Sequence, residues 1–386
     1  METIICDISA FLYWRVPPVV RLLASAADDD PLLANLVSPE ELSNLRAGCA
    51  ELPLARACAS SGTHWRAAGE ASRAIRTSSA LLSVCMEGPV DVLVTRREQT
   101  RRATIVRPRL WSAGVPQGEL SRISDDLRAV SPGFALLQLA RRASLARTVL
   151  LAAELCGSFA VYSAPECLRE VLQRLVDANL LPRMGGWEPC LDREGKLTDL
   201  WSRKPLVTPA DLRRIAEQSP SPGGRERLLE AARLVTPGSA SPFEARAGII
   251  LGFSRRRGGE GQDGFAHNQR IALTPEARAL AGRLSCYCDL YWREGLDLEC
   301  QSRLAHDVGS SFLSDSDRTA ALKLMGVEVL PVTYRQLKNE ARTQALSKMV
   351  AEKRGVSWAP PTERQRAAGR RLRGEVLADW GSLPFV

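Results

Sequence analysis

Two carboxylates in neighbouring strand patterns are the residues of this 386-residue chain best placed to do chemistry. Asp289 interrupts the largely apolar run Leu284-Ser285-Cys286-Tyr287-Cys288-Asp289-Leu290-Tyr291-Trp292. Asp is disfavoured in strands, so its place there asks for a functional reason. The next run, Leu296-Asp297-Leu298-Glu299-Cys300-Gln301-Ser302, alternates, with Leu296, Leu298 and Cys300 on one face and Asp297, Glu299 and Gln301 on the other. Arg293-Glu294-Gly295 between the runs makes a three-residue hairpin, with Gly where positive φ is needed. If pairing brings the faces together, Asp289 and Glu299 hold one hard divalent cation through carboxylate oxygens. Mg2+ or Mn2+ held there would activate water and offset charge on a phosphate, the needs of phosphodiester hydrolysis.

Simpler roles compete at several positions. Ser241-Pro242-Phe243-Glu244 has the form of a capping box, which would stabilise a helix by about 1 kcal/mol and could be the whole task of Glu244. Glu299 on a polar strand face could simply be solvated. Cys286, Cys288 and Cys300, with His306 nearby, invite a zinc reading. Their spacing is not that of a zinc knuckle, and alternation puts the three cysteines on apolar faces, so core packing is expected. Asp317 and Arg318 suit a helix start, where an acid favours the dipole, and Arg318 is also a candidate phosphate contact. His64 and His267 carry no motif.

The elements that must position these residues are legible as an α/β chain, α+β overall. A helix starts at Ser241 and ends near Gly252, and Arg255 to Gly264 is a Gly- and Arg-rich loop before the two strands. A helix opening at Ser314-Asp315-Ser316-Asp317-Arg318 runs to Leu324, Gly326 stops it, and the strand Val327 to Leu330 follows. Strand, helix and strand in that order predict a parallel crossover. Upstream, residues 1–78 have helical spacing, with Ser38, Pro39 and Glu41 forming a helix start. Residues 79–180 hold a strand over Val90 to Val94, a basic turn from Arg96 to Arg102 and a strand around Thr104 to Val106. A helix pattern from Ser131-Pro132 continues, with a break, to Leu155, and another spans Pro165 to Ala178 with Ser163 as its cap. Residues 181–240 are dense in Pro and Gly and are expected to be a linker. The carboxylates then belong to a domain over 241–353, and 354–386 is a basic tail.

Composition narrows the classes. The hydrophobic fraction of 45% and charged fraction of 25% exclude collagen-like, wholly disordered and disulfide-scaffold chains. No apolar run approaches the roughly 20 residues that cross a bilayer, and Glu2 and Asp7 stand where a signal peptide wants positive charge. Ten scattered cysteines fit reduced thiols, so a cytoplasmic location is expected. The net charge of +8 permits an anionic partner. Between Arg335 and Arg373 bases far outnumber acids and aromatics are few. That segment reads as a phosphate-contacting surface, with Lys338, Arg342 and Lys348 among its contacts, or as a solvated helix face.

One order of residues is more specific than any single element. Glu244 on a leading helix, Asp289 in a strand, Glu299-Cys300-Gln301 in the next, His306 downstream, then Asp317-Arg318, Leu322 and Gly326-Val327-Glu328-Val329-Leu330 resembles the very-short-patch-repair-type endonucleases and their relatives in the PD-(D/E)XK superfamily. The resemblance implies a restriction-endonuclease-like mixed sheet flanked by helices. Asp289 and Glu299 would bind metal, Glu244 would complete the acidic cluster, and Gln301 would stand at the usual lysine position, which it cannot fill with charge. His306 and Arg318 would join the nucleic-acid contacts. The implied activity is a Mg2+-dependent DNA endonuclease in phage defence or mobile-element biology. The alternative is a catalytically inactive nucleic-acid-binding regulator or antitoxin-like protein on a decayed nuclease fold. Pro89 to Val94, the basic turn, and Val130-Ser131-Pro132 leading to Leu155-Cys156-Gly157 are similar to the middle domain of abortive-infection-type antitoxins and regulators. This implies a smaller α/β regulator-like domain in front, with a cognate toxin or other protein as partner.

Overall fold

A computed structural model of the chain describes residues 2–26, 30–61, 69–101, 103–219, 222–301 and 309–385. Three sheets are joined by helices. The first comprises β1 (Thr3–Ile5), β2 (Val90–Val94), β3 (Val106–Leu110), β4 (Leu120–Arg122) and β5 (Leu127–Val130) in the order β3-β2-β1-β5-β4. The helices α1 (Asp7–Arg15), α2 (Pro18–Ser25), α3 (Pro31–Ala34), α4 (Pro39–Ala50), α5 (Pro53–Ser60), α6 (Gly69–Thr77) and α7 (Ser79–Cys85) lie between β1 and β2. Residues 1–78 are therefore not purely helical, because their first strand sits in the middle of this sheet. After β5 come α8 (Pro132–Leu139) and α9 (Leu145–Cys156), then β6 (Phe159–Val161) and α10 (Glu166–Asp177).

Where a linker was expected, the chain is folded. β7 (Glu188–Leu191) and β8 (Leu197–Ser202) pair with β6 in the order β6-β8-β7, and α11 (Pro209–Gln218) and α12 (Arg225–Leu234) follow. The prolines and glycines bound elements here instead of abolishing them. Pro209 takes the first helical position behind the Thr208 cap, where a missing N–H costs nothing. The basic tail is folded too, as the helix α18 (Glu363–Val376). Smaller corrections concern edges. The second strand lies at 106–110 and not at 104–106, and α10 is capped by Pro165 without any side-chain bond from Ser163.

The third sheet carries the acids. After α13 (Pro242–Gly252) come β9 (Ala266–Ala272), α14 (Pro275–Ala281), β10 (Ser285–Trp292), β11 (Leu296–Gln301), α15 (Gly309–Leu324), β12 (Glu328–Thr333), α16 (Tyr334–Lys338) and α17 (Glu340–Lys353). The order is β12-β11-β10-β9. β10 and β11 form the expected hairpin, Leu290 opposite Leu298, with Gly295 at a φ of 83°. β11 and β12 pair in parallel, Leu298 opposite Leu330, as the crossover predicts. A large core runs from Phe11, Phe134 and Leu150 through Ile250 to Leu290, Trp292 and Leu298. Another core packs Val19, Leu23 and Leu172 with Trp201, and a small third one packs Cys286 and Cys288 against Leu322 and Val327, with Ala277 of α14. No helix among the described residues is long and apolar enough to cross a membrane.

Candidate acidic site

Asp289 sits at a break in its own strand. Cys286 and Cys288 pack into the small core, whereas Leu290 and Trp292 pack into the large one, so alternation fails between positions 288 and 290. Pairing with β9 passes from Cys288 opposite Gln269 to Leu290 opposite His267, and pairing with β11 begins only at Leu290. Asp289 thus has no ladder partner on either side. Its carboxylate supplies one instead, accepting the Cys300 N–H at 2.8 Å. Across β9, Asn268 holds a φ of 47°, in the left-handed region that Asn tolerates.

Glu244 closes one side of the site. The Ser241 Oγ accepts the Glu244 N–H at 3.2 Å, and the Glu244 carboxylate accepts the Ser241 hydroxyl at 2.8 Å. Its other oxygen accepts the Ala240 N–H at 2.8 Å and the Asn268 amide at 2.7 Å. Capping and site membership therefore coexist in one buried residue. Burial pushes the Glu244 carboxyl up against these hydrogen bonds, and the charge of Glu299 adds to the rise.

Glu299 and Asp297 face a guanidinium. Arg318 donates to Glu299 at 2.7 Å and to the Tyr287 carbonyl, and it stands 3.9 Å from Asp297. Asp297 is 0% exposed, and neither of its oxygens has a hydrogen-bond partner among the described residues. Burial first, and Glu299 second, push its carboxyl up to about 7. Asp289 is pushed up to about 8 by burial, then by Glu299 and Glu244. The Arg318 charge is opposed by burial, yet its hydrogen bond to Glu299 and the surrounding acids raise its pKa on balance. Mutual elevation of this kind is what crowded, partly desolvated carboxylates do.

Glu244, Asp289, Glu299 and Arg318 are thus brought together. Gln301 ends β11 opposite Thr333. Arg318 is not at a helix start, because α15 begins at Gly309 and places Asp317 and Arg318 well inside it. His306 and His64 lie outside the described residues. Lys338, Arg342 and Lys348 are exposed on α16 and α17. Much of the basic segment is already paired, as in Lys353 with Glu328, Arg354 with Glu294 and Arg373 with Glu340.

Sequence reasoning missed Asn268, Asp297 and His267. The His267 Nδ1 lies 3.2 Å from the Asp289 carbonyl oxygen, and burial pulls this imidazole down to about 4, so it is neutral. The polar face of β11 named Asp297, but nothing in the sequence told that it would be sealed. Among the described residues no three His, Cys, Asp or Glu side chains form a ready-made metal-ligand group. Compared with protein-family models, curated proteins and solved structures, the chain matches none.

Proposed function

We propose that residues 241–353 form a restriction-endonuclease-like domain whose acidic site hydrolyses DNA phosphodiester bonds with Mg2+ or Mn2+. The observation that carries this reading is the convergence of three acids. The Asp289 carboxylate reaches the Cys300 N–H beside Glu299, and Glu244 is bonded to Asn268 on the adjoining strand, so that burial and the charges of Glu299 and Glu244 push the Asp289 carboxyl up. Acids held this close repel one another, and a divalent cation is the partner that would relieve them. The residues fit such an ion, because Mg2+ is commonly held by one or two carboxylates with water and phosphate completing its shell. Asp289 and Glu299 would be those ligands, and the bound ion would supply an activated water and neutralise charge on the phosphate.

The remaining residues have positioning tasks. The Cys300 N–H orients Asp289. Asn268 and Ser241 fix the Glu244 carboxylate, which adds negative charge behind the ligands. Arg318 brings to Glu299 the cationic group that Gln301 lacks. Incubation of supercoiled plasmid with purified protein and Mg2+ or Mn2+ tests the reading. Nicking by the wild type, lost in Asp289→Ala and Glu299→Ala, is the expected result.

A second reading, a nucleic-acid-binding regulator on a nuclease scaffold, is favoured by one observation. Glu299 is already neutralised by Arg318 at 2.7 Å. On that reading the plasmid stays intact, and salt-sensitive duplex binding persists in both variants.

A further inference from the structure

A pocket of about 570 Å³ opens where the Gly-rich loop after α13 meets the segment joining α17 to α18, a size that suits a small ligand. Its lining residues Gln262 and Trp358 are tied from behind to the buried Ser347. The Ser347 Oγ accepts the Gln262 amide and the Trp358 indole N–H, each at 3.3 Å. Arg354 donates to the Gln262 carbonyl oxygen at 3.1 Å. One atom is left over. Glu260 is only 6% exposed, and its Oε2 has no hydrogen-bond partner among the described residues.

Among the buried acids, Asp7, Asp91 and Glu154 are bonded to arginines and Glu244 to amides and a hydroxyl, whereas Asp297 in the acidic site shares with Glu260 the lack of a hydrogen-bond donor among the described residues. A buried carboxylate oxygen without a donor is costly and calls for an explanation. Burial raises the Glu260 carboxyl, though Arg255 and Arg373 oppose the rise. Beside it, the Arg255 guanidinium lies 5.2 Å from the centre of the half-buried Trp358 ring, so a flat group already stacks there.

We propose that this pocket binds a guanine nucleotide, with Glu260 accepting N–H donors from the base, Trp358 stacking on it, and Arg255 and Arg354 facing the phosphate. Guanine fits because its N1–H and amino group stand side by side, and an ionised carboxylate only accepts. Adenine and cytosine put a ring-nitrogen acceptor beside their single amino donor, which a carboxylate repels. Stacking on the indole is tolerant of base identity, so Glu260 sets the choice. The same edge is offered by a free nucleotide or by an unpaired base in a strand, since pairing would hide it.

Calorimetric titration of the full chain, without added metal, separates these cases. The ligands are GMP, AMP and single-stranded pentanucleotides with a central G or A. GMP or the G-containing strand is expected to bind about tenfold or more tightly than its adenine counterpart. Preference for GMP assigns a free nucleotide, and preference only within the strand assigns a nucleic acid. Glu260→Gln should abolish the preference at an unchanged melting temperature, and Trp358→Leu should weaken both bases together. Asp289→Asn should leave binding intact, which keeps this pocket distinct from the acidic site. Equal affinity for both bases, no binding of either, or a preference that survives Glu260→Gln overturns the proposal.

Discussion

The Asp289 carboxylate accepts the Cys300 N–H at 2.8 Å, so a side chain of one strand completes the ladder of its neighbour. That bond holds an acid between strands where burial and three further acids, Glu299, Glu244 and Asp297, oppose its charge. Asp289 is pushed up to about 8 and Asp297 up to about 7. An acid whose folded pKa is raised keeps its proton longer in the folded state than in the unfolded one. Its contribution is then fully present below about pH 4 and is lost as pH rises through about 7 to 8. Thermal melts of the metal-free protein should fall across that window, and Asp289→Asn should flatten the fall. The acids titrate as a group, so the change should be broad. A melting temperature that rises from pH 5 to pH 8 as steeply in the variant as in the wild type would contradict this.

Glu244 separates its two tasks by substitution. Glu244→Gln keeps one carbonyl oxygen for capping, and Glu244→Ala strands the Ala240 N–H and the Asn268 amide. Denaturant unfolding should show a loss of roughly 1–3 kcal/mol for Ala and a smaller one for Gln. Plasmid cleavage should be lost in both. Full activity in a folded Glu244→Gln protein would reduce this residue to a cap.

Arg318→Ala removes the charge that faces a fully buried Asp297 and a half-buried Glu299. The loss should be about 3 kcal/mol at pH 8. It should be smaller at pH 6, where Asp297 takes up its proton. Equal losses at the two pH values would mean that packing of the arginine stem is what matters.

Far from the acids, Arg15 and Glu154 form an ion pair at 2.6 Å with side chains 5% and 1% exposed, and the Trp380 indole donates to the same carboxylate at 2.7 Å. The C-terminal segment is thereby fastened to the first helix. Glu154→Ala leaves Arg15 buried and unpaired, for a loss of roughly 3–5 kcal/mol. Trp380→Phe, which keeps most of the packing, should lose far less, as urea unfolding of the two variants would show.

Local chemistry in the sequence located the hairpin, the Gly295 turn, the α13 cap and the parallel strand after α15, because each rests on neighbouring residues. The folding of 181–240 was not legible. Its prolines and glycines look alike at a helix start and in a linker, and only packing of Leu212, Leu228 and Trp201 into the cores distinguishes the two. The acids Asp289 and Glu299 stood out by their strand positions. What hid Asp297 and Asn268 is tertiary. Alternation makes Asp297 a solvent-facing residue, yet in the fold it is buried with Arg318 of α15 3.9 Å away, and β9 gives no strong strand signal in Ala266-His267-Asn268-Gln269-Arg270.

Calorimetric titration of the metal-free chain with Mn2+ at pH 7 probes the acidic site without needing to know its nucleic-acid substrate. The arrangement of Asp289, Glu299 and Glu244 predicts binding with proton release to the buffer, since the elevated carboxyl must lose its proton before it can ligate the ion. Binding should be lost in Asp289→Asn and in Glu299→Gln while both variants stay folded. Absence of Mn2+ binding to the folded wild type, or binding that survives both substitutions, would contradict the assignment of these carboxylates as a metal site.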